Sequence, residues 1–152
     1  MAKIVVLGAG TGGMPAAYEV KEALGAGPEV MVVNEREEFR FVPSNPWVAV
    51  GWREAGAVTM PIEKYLAKKK IAFKCARVDK IDAEANQLVT SEGEIIDYDY
   101  LIIATGPRLA FDQIEGAGPG GFTQSVCTLD HAEHCYADFE KLVANPGPVV
   151  VG

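Results

Sequence analysis

The chain has 152 residues, 49% of them hydrophobic and 23% charged, a balance that suits a globular domain with one core and excludes disordered and fibrous classes. Its 14 Lys and Arg stand against 21 Asp and Glu, and the formal charge of −7 opposes binding to a nucleic-acid backbone or an anionic lipid surface. No apolar stretch approaches the length of a membrane span. Met1 leads almost directly into a strand, so neither a signal peptide nor a membrane anchor is expected. Cys75, Cys127 and Cys135 are odd in number and lack C-x-x-C or zinc-finger spacing, which gives no support to a disulfide framework or a structural metal.

In chain order, Ile4 to Leu7 is a short apolar run that ends in glycines. Ala16, Ala17, Val20 and Leu24 follow at the spacing of one helical face, and Val30 to Val33 is a second apolar run. The segment reads as strand, helix, strand, with the continuous runs expected of a parallel sheet covered on both faces by crossover helices. From Glu35 to Thr59 no regular period holds, and Pro43, Pro46, Gly51 and Gly56 punctuate a stretch rich in aromatics. A loop of that length without structure of its own points to function.

Pro61 suits the first turn of a short helix over Ile62 to Lys69, whose lysine run reads as a solvated helix end. A strand is expected over Ile71 to Val78. Three short strands follow at Lys80 to Asp82, Gln87 to Ser91 and Ile95 to Tyr98, with turn chemistry at Asn86 and Glu92-Gly93; they predict an antiparallel meander. Tyr100 to Ala104 is another apolar strand, Gly116 to Gly121 a flexible connection, and Leu129 to Ala144 a helix stopped by Asn145-Pro146-Gly147. Val149-Val150-Val151-Gly152 repeats the strand-then-glycine pattern of Val5-Val6-Leu7-Gly8. It is expected to begin a second nucleotide-binding unit in a truncated chain.

Chemistry enters at Gly8-Ala9-Gly10-Thr11-Gly12-Gly13, which fits G-x-G-x-x-G in the context that the pattern requires, after a strand and before a helix. The first glycine permits the tight turn, the second lets backbone approach a pyrophosphate, and the third lets helix pack against strand. The helix N-terminus then faces the phosphates. Glu35 follows the second strand at about the distance expected of a carboxylate that accepts hydrogen bonds from an adenosine ribose, and it would repel a 2′-phosphate. Turn and Glu35 together leave FAD and NAD both open.

The segment Asp99-Tyr100-Leu101-Ile102-Ile103-Ala104-Thr105-Gly106 resembles the second flavin motif of flavoproteins with two dinucleotide-binding domains. Phe41-Val42-Pro43-Ser44-Asn45-Pro46-Trp47-Val48-Ala49-Val50-Gly51-Trp52-Arg53 and Ser125-Val126-Cys127-Thr128-Leu129-Asp130-His131-Ala132 resemble segments of bacterial sulfide:quinone oxidoreductases. The resemblance implies an α/β fold, a Rossmann-like FAD-binding domain over residues 1–112 with parallel sheet, crossover helices and antiparallel meander. A connecting segment over 113–147 carries the Cys127 helix, and 148–152 begins a second domain. It implies FAD as cofactor, held by Gly8, Gly10, Thr11, Gly12, Gly13, Asn34, Glu35, Arg36, Ser44, Asn45, Val78, Thr105 and Gly106.

The same resemblance implies sulfide and quinone as substrates, with Cys127 one of a set of redox-active cysteines. Cys127 stands just before a helix whose expected N-cap is Thr128, and the helix end and His131 would favour a thiolate there. His131 is the second candidate catalytic residue, to orient or protonate sulfur species. Cys135 shares a helical stripe with Leu129, Ala132, Phe139 and Leu142 and reads as core packing, as does Cys75 in its strand. In the family, sulfide attacks a disulfide or persulfide bridge beside the flavin, and the electron pair passes to quinone. The family's partner cysteines, quinone pocket and membrane-binding segment lie beyond position 152. The resemblance places the protein on the surface of the bacterial cytoplasmic membrane and is compatible with a homo-oligomer. A sulfide dehydrogenase flavoprotein subunit, an NADH:quinone oxidoreductase and a non-catalytic flavin-binding module remain as alternatives.

Overall fold

The computed structural model describes Met1–Gly152, and the chain divides into two compact units. The first comprises Met1–Phe39 with Met60–Pro107, the second Arg40–Thr59 with Arg108–Gly152.

The first unit is built on β1 (Lys3–Leu7), β2 (Glu29–Asn34), β5 (Ala72–Cys75) and β9 (Tyr100–Ile103), in the spatial order β5-β2-β1-β9. All three pairings are parallel, with Val6 opposite Val32 on one side and Ile102 on the other. Helix α1 (Gly13–Leu24) connects β1 to β2, and α3 (Ile62–Ala67) precedes β5. Strand residues alternate between the faces. Val6, Val30 and Val32 pack with Met14, Ala17, Ile62 and Leu66 of the helices, whereas Val5, Leu7 and Val33 pack with Leu88 and Tyr98.

The two faces therefore have different covers. The second is covered by the antiparallel meander β6 (Val78–Asp82), β7 (Gln87–Thr90) and β8 (Ile95–Asp97), not by a helix as the continuous apolar runs suggested. Leu88 of β7 is fully buried there, a contribution of about 2 kcal/mol from its apolar surface alone. The strand expected over Ile71 to Val78 is two strands. The parallel ladder ends where Cys75 meets Asn34, Ala76 N–H donates to the Asn34 carbonyl at 2.8 Å, and the chain then turns into β6. Cys75 is exposed, contrary to the core reading, because it ends the edge strand of the sheet. Leu24 is also exposed, since the last turn of α1 lies outside the buried cluster.

The region from Glu35 to Thr59, expected to be structureless, is a chain of small elements. These are β3 (Glu38–Arg40), a 3₁₀ turn at Val42–Ser44, α2 (Asn45–Ala49), a second 3₁₀ turn at Ala55–Val58 and the start of β4 (Thr59–Pro61), which pairs with β3. Pro46 sits in the first turn of α2, where its missing N–H has no intrahelical partner to lose.

In the second unit α4 (Leu129–Ala144) has the bounds that its periodicity predicts, and Thr128 is its N-cap, accepting the His131 N–H at 3.2 Å. Leu129 and Ala132 bury against Val48, Ala49 and Val58, with Cys135 packed alongside, as its helical stripe predicts. The Gly116–Gly121 connection is closed by hydrogen bonds, Phe122 N–H to Gly116 C=O and Gly118 N–H to the Thr123 hydroxyl. Val149–Gly152 forms no strand; the four residues are exposed and pair with nothing in the chain. No helix is long and apolar enough to cross a membrane.

Candidate functional site

The glycine turn lies at the C-terminal end of the parallel strands, the edge at which open α/β sheets bind ligands. Gly8 N–H donates to Val33 C=O and Ala104 N–H to Leu7 C=O, both at 2.8 Å, so the turn is held between the ends of β2 and β9. Gly8 has φ +101°, and a Cβ there would lie 2.4 Å from the Ala104 carbonyl oxygen. A Cβ on Gly13 would lie 1.9 Å from the Gly8 carbonyl oxygen. These two glycines are demanded by the protein itself.

Gly10 and Gly12 differ, because a Cβ on either would meet nothing within 4 Å. Their bare faces border open space. Helix α1 has Gly12 as an N-cap with no side-chain hydrogen bond, and Met14 and Ala16 N–H already donate to Gly10 and Gly12 carbonyls. The earlier amides of the turn are those that a helix leaves without internal acceptors, and with the dipole they suit an anion. The cradle fits a pyrophosphate, with Thr11 exposed beside it.

Asn34, the last residue of β2, ties this turn to the segment that carries Glu35 and Arg36. Its Oδ1 accepts from Ala9 N–H at 3.0 Å and its Nδ2 donates to Arg36 C=O at 2.8 Å. Both ends of the amide are thus used inside the protein, and Glu35 is carried between two fixed points. Glu35 and Arg36 are exposed and approach each other at 3.8 Å. On the opposite side, the Cβ position of Gly8 is 3.0 Å from Thr105 Cα, which brings the end of the β9 motif against the glycine turn. Thr105 and Gly106 are exposed, and Gly106 has φ +74°. Val78 opens β6 half-buried, packed on the meander side of the sheet.

The remaining candidates are in the second unit. Ser44 and Asn45 are 0% and 1% exposed, which turns both side chains inward. Ser44 Oγ accepts from Arg53 Nη1 at 3.0 Å, and the Arg53 guanidinium stacks 4.2 Å from the Trp47 ring centroid. Asn45 Nδ2 donates to Val126 C=O at 3.0 Å, while its Oδ1 is buried without a partner. Cys127 is exposed one residue before the N-cap of α4, and its N–H donates to Ser125 Oγ at 3.1 Å. His131 lies half-buried in the first turn, its ring 5.7 Å from that of Phe111 and its Nδ1 without a partner. It borders an open cleft of about 560 Å³ formed with Phe111 and the 114–121 loop.

The three thiols differ in setting. Partial desolvation pushes the Cys75 and Cys135 thiols up, with the Glu37 and Asp138 carboxylates adding to it respectively, so both are held toward the protonated form. Cys127 alone stands at a helix N-terminus. No group of three or more His, Cys, Asp or Glu is placed to hold a metal ion.

The partners of the second group were not legible in the sequence. Arg53, Ser125 and the Val126 carbonyl act across loops, where spacing says nothing about contact. The double use of Asn34 had a faint signal, since a short amide at a strand end favours local turn bonds.

The sequence pattern of the pyridine nucleotide-disulphide oxidoreductase family matches residues 2–152. The chain is 38% identical to a sulfide-quinone reductase of Aquifex aeolicus over 100% of its own length and 35% of that protein's. It superposes on the structure of sulfide:quinone oxidoreductase from Aquifex aeolicus with a TM-score of 0.87 and 34% identity, covering 97% of this chain and 34% of the other. An external alternative NAD(P)H-ubiquinone oxidoreductase of Arabidopsis thaliana is 34% identical over 70% of this chain and 20% of its own. The chain thus spans about a third of the length of the sulfide-quinone reductase that it matches. Proteins of this family and the sulfide-quinone reductases are FAD-binding flavoproteins, and the open faces of Gly10 and Gly12 fit the pyrophosphate of that cofactor.

Proposed function

The chain belongs to the pyridine nucleotide-disulphide oxidoreductase family, and from that premise we propose that it is the FAD-binding part of a sulfide:quinone oxidoreductase, oxidising sulfide to sulfur or polysulfide with electron transfer to quinone. The observation that carries this reading is that similarity to a sulfide-quinone reductase runs through the whole chain, Cys127 segment included. Because the chain spans 35% of that relative, turnover is assigned to a polypeptide of the relative's length. This stretch contributes the cofactor seat and one thiol. In domain terms, 1–112 is the FAD-binding part, 113–147 the connecting segment and 148–152 the start of a second Rossmann-like domain.

In this reading the turn from Gly8 to Gly13 receives the pyrophosphate, and Asn34, Glu35 and Arg36 form the adenosine ribose side. Thr105 and Gly106 bound the flavin side, and Val78 adds to the cofactor seat from the same unit. FAD bound there supplies the two-electron redox chemistry. Cys127 would supply a thiolate that takes up sulfide as a persulfide, the two electrons released passing to bound FAD and on to quinone, and His131 would hold or deliver the proton of the sulfur species. Quinones reside in the bilayer, so the reading puts the protein on a membrane surface.

Sulfide added to the flavin-loaded protein should bleach the flavin absorbance, and Cys127→Ser should abolish that bleaching while leaving flavin content intact. Full sulfide-dependent quinone reduction in the variant would remove Cys127 from the reaction. The second reading, an NADH:quinone oxidoreductase, is favoured by the similarity to the Arabidopsis enzyme over 70% of the chain. It calls for bleaching by NADH and indifference to sulfide. A non-catalytic flavin-binding module would bleach with neither.

A further inference from the structure

We propose that Asn45 is the positioning residue of Cys127, fixing the segment that carries the thiol through a hydrogen bond delivered from the first residue of α2. The inference rests on the reading of Cys127 as the reacting thiol. Residues 122–128 belong to no helix or strand, so backbone ladders do not hold them. Asn45 Nδ2 reaches across 81 residues of sequence to the Val126 carbonyl, the peptide immediately before Cys127, at 3.0 Å. On the other side, Leu129 is 4% exposed and packs with Val48 and Ala49 of the same α2 helix. Cys127 is therefore suspended between two anchors, one polar and one apolar, both set on α2.

Local bonds complete the arrangement. The Cys127 N–H donates to Ser125 Oγ, and Thr128 Oγ1 accepts from His131 N–H, which leaves the intervening backbone little freedom. The start of α2 is itself braced, by Arg53 bonded to Ser44 and stacked on Trp47. An asparagine at 1% exposure with an unpartnered Oδ1 carries a desolvation cost that an apolar residue would avoid. The bond to Val126 is what the amide supplies in return, and it acts on the position of the neighbouring sulfur. Asn45 touches no reacting atom in this scheme, and its effect passes through the backbone of residue 126.

The test compares alkylation of Cys127 with that of Cys75, both exposed, in one molecule by iodoacetamide labelling and mass spectrometry. In Asn45→Ala and Asn45→Leu the Cys127 to Cys75 rate ratio should change several-fold, and sulfide-dependent flavin reduction should fall by roughly tenfold or more through misplacement of the thiol. An unchanged ratio in a folded variant overturns the proposal, since loss of stability alone does not move it. A changed ratio in a protein whose Cys127→Ser form still reacts with sulfide keeps the positioning role and sinks the redox reading. If both variants fail to fold, the unsubstituted protein decides: one Asn45 Nδ2 proton should exchange slowly with solvent, and free exchange of both overturns the hydrogen bond.

Discussion

The nucleotide end of this chain and its cysteine end are held by different means. Around Gly8–Gly13 the constraints are almost all backbone: strand-end hydrogen bonds, a carbonyl 2.4 Å from where a Gly8 Cβ would be, and a helix start packed onto the turn. Around Cys127 they come from side chains, with Asn45, Ser125 and Thr128 each supplying one bond. A backbone-built site tolerates few residue types and leaves a pattern in the sequence. A site latched by side chains leaves less, because a residue such as Asn45 is distant in the chain from what it holds and ordinary in kind.

Substitutions can break or sharpen that contrast. The largest expected effect is at Gly13→Ala, where the added methyl meets the Gly8 carbonyl oxygen at 1.9 Å with only backbone to yield. Chemical denaturation should show a loss of more than about 3 kcal/mol, beyond ordinary overpacking. Thr128→Ala should cost about 1 kcal/mol by removing the cap of α4, read in the same assay. Parity between these two would erase the distinction between the regions. The smallest effect on stability is at Gly10→Val, within about 0.5 kcal/mol, because the side chain enters open space and the backbone has no positive φ there. That open space is where the pyrophosphate is assigned, so the purified variant should lack flavin; unchanged flavin content would move the cofactor elsewhere.

Much of the first unit was readable. β1, β2 and β9 are continuous apolar runs, and glycine spacing after β1 identifies the turn, because sterics leave those positions no choice. Helix α4 was readable from 16 residues of period and a Thr cap. The segment from Glu35 to Thr59 was not, since elements of three to five residues are shorter than two helical turns and show no period. Cys75 was misread because strand character is local whereas the edge of a sheet is a property of the whole fold. Asn45 illustrates the same limit at the site. Its place in a loop could be read, but its hydrogen bond to residue 126 could not.

The far wall of the glycine turn is Ala104, in the segment that follows β9. At the other end of the same strand pair, Lys3 and Asp99 are joined across 96 residues. Such a contact forms only after a long loop closes, an entropic step that slows folding and favours late completion. The phosphate cradle is therefore finished only when nearly all of the first unit is in place. An adenine dinucleotide would find no partial site on an unfolded or half-folded chain, so its binding energy adds to the native state alone. Cofactor retention in this unit is a report on the integrity of the entire sheet.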